Sequence, residues 1–147
     1  MFTQRLTSAT HYAWRSLTGV ARKVRALRER YKAINDLREC RGLNLLREWL
    51  SAEQRAQFDR SRCFDVVGCD TGTRYRISYK SGTNVHQLNA AGQLTMGWCF
   101  VPSGHLVPGD VMLAQKIALE TDERAALAVA NKFPVHVPFP ALPRRAY

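Results

Sequence analysis

The sequence predicts an α+β protein: N-terminal helices, one of them long and basic, then a four-stranded antiparallel meander. A C-terminal helical region packed on the sheet and a Pro-rich extended tail complete it. Three observations predict this class. Apolar residues recur at helical spacing from Ala13 to Ile34, Arg74–Tyr79 alternates between two faces, and a second helical pattern follows Asp110.

The first element is a long helix. Ala13, Leu17, Val20, Val24, Leu27, Tyr31 and Ile34 are spaced 4, 3, 4, 3, 4 and 3 residues apart. This is the a/d seam of a heptad repeat. With Leu17 at position a, Lys23 and Arg30 fall at g and Arg28 at e, beside the seam. Two copies paired in parallel would set cation against cation, so the seam suits the protein's own body or an acidic partner. Gly42, after Arg38 and Arg41, is the expected stop. A second helical region covers 44–60, with Leu45, Leu46, Trp49 and Leu50 as its apolar stripe. Ser51–Gln54 reads as a capping box and predicts a bend and a fresh helix to about Arg60.

Strand texture follows. Cys63–Gly68 is the first candidate, and Asp70–Thr73 carries turn chemistry. In Arg74–Tyr79 the alternation sets Tyr75, Ile77 and Tyr79 on one face and Arg74, Arg76 and Ser78 on the other. Turns at Lys80–Thr83 and Asn89–Gly92 bracket a short strand, Asn84–Leu88. Gln93–Val101 is the longest strand, with Trp98 and Phe100 on one face and a bulge at Gly97. Asp110 is the expected N-cap of a helix from Val111 to about Glu120. Thr121 or Asp122 restarts it toward Lys132. Four prolines in 134–143 make the tail extended and polyproline-like. The expected organisation is therefore a basic amphipathic helical arm (1–42), an α+β globular domain (43–133) and a Pro-rich tail (134–147).

Charge gives the first functional clue. The net charge is +10, and residues 1–50 hold 11 Lys/Arg against 4 Asp/Glu, with no acid before Glu29. A polyanion or an acidic protein surface is the implied partner. The arm's Arg22, Lys23, Arg25, Arg28, Arg30 and Lys32 are the candidate phosphate contacts, supported by Arg74 and Arg76 on their strand. Tyr75 and Tyr79 share a face with Ile77, which reads as core rather than as a base-stacking platform. No zinc finger or RNA-binding signature is present, so the binding expected is electrostatic and non-specific. The same arm supports a different reading. Leu17, Val20, Val24, Leu27, Tyr31 and Ile34 form a docking seam, and the chain is then a subunit or adaptor of a larger assembly, joined also by its tail. A basic amphipathic helix also suits an anionic membrane surface, although this seam is narrow.

The stretch of Gly72–Ile77, Asn84–Val85, Trp98–Phe100 and Gly109–Glu120 resembles uncharacterised small bacterial proteins. The resemblance covers less than half the chain and implies a bacterial origin but no activity. The acid-free, Arg- and Ser-bearing start also has the composition of a mitochondrial presequence, which a bacterial origin would make irrelevant.

Enzymatic signatures are weak. Cys63 and Cys69 are separated by five residues, as are Cys99 and His105. That is wider than the tight knuckles of structural zinc sites, and buried thiols are the plainer reading. Cys99, His105 and Asp110 surround the sheet-to-helix junction, where a loop histidine and a helix cap explain two of the three. There is no P-loop and no dinucleotide fingerprint, so no cofactor is implied. Pro140–Arg145 fits an SH3-ligand pattern that a bacterial chain gives no use. No apolar run is long enough for a transmembrane helix, and a cytoplasmic protein with reduced thiols is expected. The sequence reading is thus a non-enzymatic basic binding protein, contacting nucleic acid phosphates first and a protein assembly second.

Overall fold

The computed structural model describes residues 4–79, 84–101, 104 and 106–135, with side chains from Val20 onward. The turn at Lys80–Thr83, His105 and residues 136–147 lie outside the described residues. Two compact units are present, Met1–Cys40 and Arg41–Tyr147.

The first unit is helical. Helix α1 runs over Gln4–Trp49, and its residues from Arg41 onward belong to the second unit. Gly42 therefore does not end the helix. A Cβ at Gly42 would come 2.6 Å from Val107 Cγ2 and 2.9 Å from Asp110 Oδ1. A Cβ at Gly109 would in turn run into the Gly42 carbonyl and Leu43 backbone. Gly42 is a close-approach glycine inside a helix. The last turns of α1 bury Leu43 and Leu46, and Leu50 just past its end is buried too, whereas Leu45 and Trp49 are exposed. Leu46 and Leu50 of the expected stripe are thus core, and Leu43 takes the place of Leu45 and Trp49.

Helix α2 (Ala52–Ser61) starts at Ser51 with the predicted box. The Ser51 hydroxyl accepts from the Gln54 N–H, and the Gln54 side chain accepts from the Ser51 N–H, both at 3.1 Å. It ends at Arg62, whose φ of 57° reverses the chain into the sheet.

Among the described residues the sheet has five strands rather than the expected four. These are β1 (Cys63–Val67), β2 (Arg74–Ser78), β3 (Val85–Leu88), β4 (Leu94–Cys99) and β5 (Asn131–Pro134). They lie in sequence order, each antiparallel to the next. Between β4 and β5 come α3 (Pro108–Thr121) and α4 (Glu123–Val129). α3 begins earlier than expected, with Pro108 in its first turn and Asp110 inside the helix rather than capping it. Asp122 caps α4, its carboxylate accepting from the Ala125 N–H. α4 stops at Val129, so the residues expected to finish it form β5 instead. The bulge lies at Gln87/Leu88, and Gly97 sits in regular register opposite Phe133.

One face of the sheet is the core. Phe64, Val66, Tyr75, Ile77, Val85 and Trp98 pack with Leu46, Leu50 and Phe58, and with Met112, Leu113, Leu119 and Ala126 from the C-terminal helices. α3 packs over β1 and β2. The opposite face carries one residue from each strand in a cross-strand row: Asp65, Arg76, His86, Gly97 and Phe133.

Candidate functional site

The apolar seam of the arm helix is exposed. Val20, Val24, Leu27, Tyr31 and Ile34, joined by Leu37, are each between 43% and 69% exposed. A globular protein seldom leaves a contiguous row of large apolar side chains in water without a use for it. Leu17, the first residue of the expected seam, lies in α1, and its side chain is outside the described set. Val24, Leu27, Arg28 and Tyr31 line a shallow apolar depression. Their spacing of 0, 3, 4 and 7 residues makes them the four corners of a diamond on the helix surface.

The cations divide between two faces. Lys23, Arg28 and Arg30 flank the seam at g, e and g. Arg22, Arg25 and Lys32 lie at f and b, the side away from it, together with the acids Glu29 and Asp36 at f. All six cations are exposed. Arg25 Nε donates to Glu29 Oε1 at 3.1 Å, an exposed pair within one helix face. The outer face is thus of mixed charge, while the only charges on the seam's borders from Ala21 to Leu37 are cationic.

Arg74 and Arg76 stand side by side on the open face of the sheet and share one carboxylate. Arg76 Nε donates to Asp65 Oδ1 at 2.7 Å, and the Nη2 atoms of Arg74 and Arg76 each donate to Oδ2 at 3.0 Å. Burial alone would raise the Asp65 carboxyl, but Arg76 and then Arg74 outweigh it and hold it below the ordinary carboxylate range. Three charged residues therefore present a net charge of +1. The backbone of Asp65 is also satisfied, at the outer edge of the sheet. Its N–H donates to Gln57 Oε1 at 2.8 Å, and its carbonyl accepts from Gln54 Nε2 at 3.0 Å. Two glutamines one turn apart on α2 thus cover the free edge of β1.

His86 lies between Arg76 and Gly97 in the row, 5.8 Å from the Phe133 ring and edge-on to it. Burial pushes its imidazole below the ordinary value, which favours the neutral form. Its Nδ1 is buried and has no hydrogen-bond partner among the described residues.

The second unit holds one buried carboxylate that sequence reading did not single out. Glu123 is fully buried. Its Oε1 accepts from the Tyr75 and Thr71 hydroxyls, each at 2.6 Å, and its Oε2 accepts from the Asp70 and Thr71 N–H groups at 2.9 and 2.8 Å. Burial would raise this carboxyl, but the four donors outweigh it and hold it below its ordinary value. Burial first, and then Glu123, push the Tyr75 phenol far above the usual range. The cluster pins the β1–β2 turn to α4. The partners lie 48–53 residues apart, and no local pattern announces them.

Of the candidate catalytic and metal residues, Cys99 ends β4, Asp110 lies in the first turn of α3, and His105 is outside the described residues. Among the described residues no group of three or more His, Cys, Asp or Glu is arranged to hold a metal ion. No described helix is long and apolar enough to cross a membrane. The chain matches no protein-family model, no curated protein and no solved structure.

Proposed function

We propose that this chain is a non-enzymatic docking subunit whose α1 seam seats a partner protein. The observation that carries the reading is the exposed row Val20, Val24, Leu27, Tyr31, Ile34 and Leu37. Phosphate binding gives such a row no role, whereas burying it against a protein gains on the order of 25 cal/mol for each Å² removed from water. The second unit, with its own core and its pinned β1–β2 turn, is the scaffold.

Nucleic acid binding is the second reading. Its support is the set of exposed arm cations Arg22, Lys23, Arg25, Arg28, Arg30 and Lys32 in a chain of net charge +10. Arg74 and Arg76 add less to it than their number suggests, because they share Asp65.

The deciding experiment is affinity capture of the tagged full-length chain from its native lysate, with and without nuclease, in parallel with Leu27→Asp. Docking predicts a defined protein that survives nuclease at stoichiometric level and disappears with Leu27→Asp. Loss of every co-purifying protein on nuclease treatment, with nucleic acid captured equally by both forms, overturns docking in favour of phosphate binding.

A further inference from the structure

Resting on the docking reading, we infer that the α1 seam takes a single class of partner: an amphipathic helix with apolar a/d residues flanked by Asp or Glu. Three features of the arm lead there.

The first is the period. The seam steps 4, 3, 4, 3 from Val20 to Ile34, the repeat that keeps a narrow stripe facing one partner helix. A helix lying in a membrane interface presents a broader apolar face.

The second is shape. Val24, Leu27, Arg28 and Tyr31 occupy positions a, d, e and the next a, and they line one depression. Four residues in this arrangement make the hole into which one knob of a facing helix inserts. A flat lipid surface or a phosphate has no knob to offer.

The third is charge. The flanking positions from Lys23 to Leu37 read Lys23, Arg28, Arg30, Asn35 and Leu37, with no acid among them. A second copy of the chain would oppose cation to cation. In a parallel pair Lys23 meets Arg28 of the other copy, and in an antiparallel pair the g residues Lys23 and Arg30 meet one another. Flanking charges of this kind decide partner choice, and like charges exclude the self-pair. Only an acidic helix satisfies both the stripe and its borders.

The test uses the full-length chain and fluorescently labelled four-heptad peptides, read by anisotropy. The first peptide carries Leu at a and d with Glu at e and g. The second keeps the Leu core but carries Lys at e and g. The third keeps the Glu flanks on a Gln core. The expected result is that the first binds at least about tenfold more tightly than either of the others. Leu27→Asp and Leu27→Gln each abolish this binding while far-UV circular dichroism stays unchanged. The triple variant K23E/R28E/R30E transfers preference to the Lys-flanked peptide.

Equal binding of the Gln-core peptide would reduce the contact to charge alone and overturn the inference. So would no binding of the first peptide by the folded chain, or capture of phosphatidylserine vesicles that Leu27→Asp abolishes in its place. If a stoichiometric, Leu27-dependent protein is still captured from lysate when the acidic peptide fails, docking stands and only this partner chemistry falls. If that capture fails as well, docking itself is lost.

Discussion

The Tyr75 hydroxyl lies 2.6 Å from Oε1 of the fully buried Glu123, and this bond joins β2, the strand beside the sheet's first edge, to the start of α4. Tyr75→Phe removes one of four donors to a buried carboxylate and should cost about 2 kcal/mol. Glu123→Ala strands the Tyr75 hydroxyl and the Asp70 and Thr71 N–H groups together, and should cost more than about 3 kcal/mol. Urea unfolding of the two variants checks the order. Equal midpoints for Glu123→Ala and the wild type would show that the cluster contributes nothing.

The same carboxylate sets a pH dependence. Glu123 is held below its ordinary value of 4.5 and Asp65 below its ordinary 3.8. A depressed folded-state value means that the unfolded chain takes up protons first on acidification. The stabilisation is present in full above these ordinary values and is lost as the pH falls through the depressed ones. Buried His86, depressed below its ordinary 6.5, adds a shallower loss that begins near that value, so the urea midpoint should decline gently from about pH 6.5 and steeply below about 4.5. Glu123→Gln should start lower and fall less. Parallel profiles for the two proteins would exclude Glu123 as the titrating group.

Gly42 and Gly109 give a prediction whose sign is diagnostic. Helix propensity alone favours alanine at either position by about 1 kcal/mol. Packing opposes it, because a Cβ at Gly109 meets the backbone of Gly42 and Leu43, which cannot turn aside. Gly109→Ala should destabilise by about 3 kcal/mol. A Cβ at Gly42 meets the side chains of Val107 and Asp110, which have some room to adjust, so Gly42→Ala should cost less. Thermal denaturation of both variants decides, and a stabilised Gly109→Ala would refute the close approach.

These two glycines also show where sequence reading stops. Gly42 follows Arg38 and Arg41 and has every local mark of a helix terminator, but the residues that explain it, Val107 and Asp110, are 65 and 68 positions away. The capping box of Ser51 and Gln54 was legible because both of its bonds close within three residues. Tyr75 and Ile77 were legible as core because strand alternation is a local signal. The seam of α1 was legible as a pattern, although spacing alone cannot say whether a seam is covered. β5 was not legible: Asn131–Pro134 is four residues long, ends in proline and follows an apolar helical run. Asp65 likewise gave no sign that it would hold both Arg74 and Arg76, since their pairing depends on strand register.

The placement of β5 rests on Phe133, whose ring covers the space a side chain at Gly97 would fill. Strand propensity disfavours glycine, so Gly97→Ala would stabilise an open position. Here the new methyl group displaces the ring and should cost about 1–3 kcal/mol. Phe133→Ala vacates the space, and the double variant should cost less than the sum of the two single ones. Faster amide exchange at Lys132 and Phe133 in Gly97→Ala would locate the damage in β5. Strict additivity would mean that the two residues do not touch.

Asp65 offers a way to separate the two readings of the arm's positive charge. It neutralises one of the two guanidiniums beside it, so Asp65→Asn raises the local charge on the sheet from +1 to +2 while leaving α1 untouched. The Arg74 and Arg76 side chains are 49% and 36% exposed, so solvent screens the lost ion pairs, and the stability cost should be only about 1 kcal/mol. If the sheet face contacts phosphate, Asp65→Asn should tighten binding to duplex DNA and steepen its salt dependence by about one unit of slope. If the chain works through the α1 seam, Asp65→Asn should leave partner affinity unchanged while Leu27→Asp removes it. Salt titrations of the two variants against DNA and against the captured partner distinguish these outcomes. A DNA affinity that does not respond to Asp65→Asn would remove Arg74 and Arg76 from any phosphate-contacting surface.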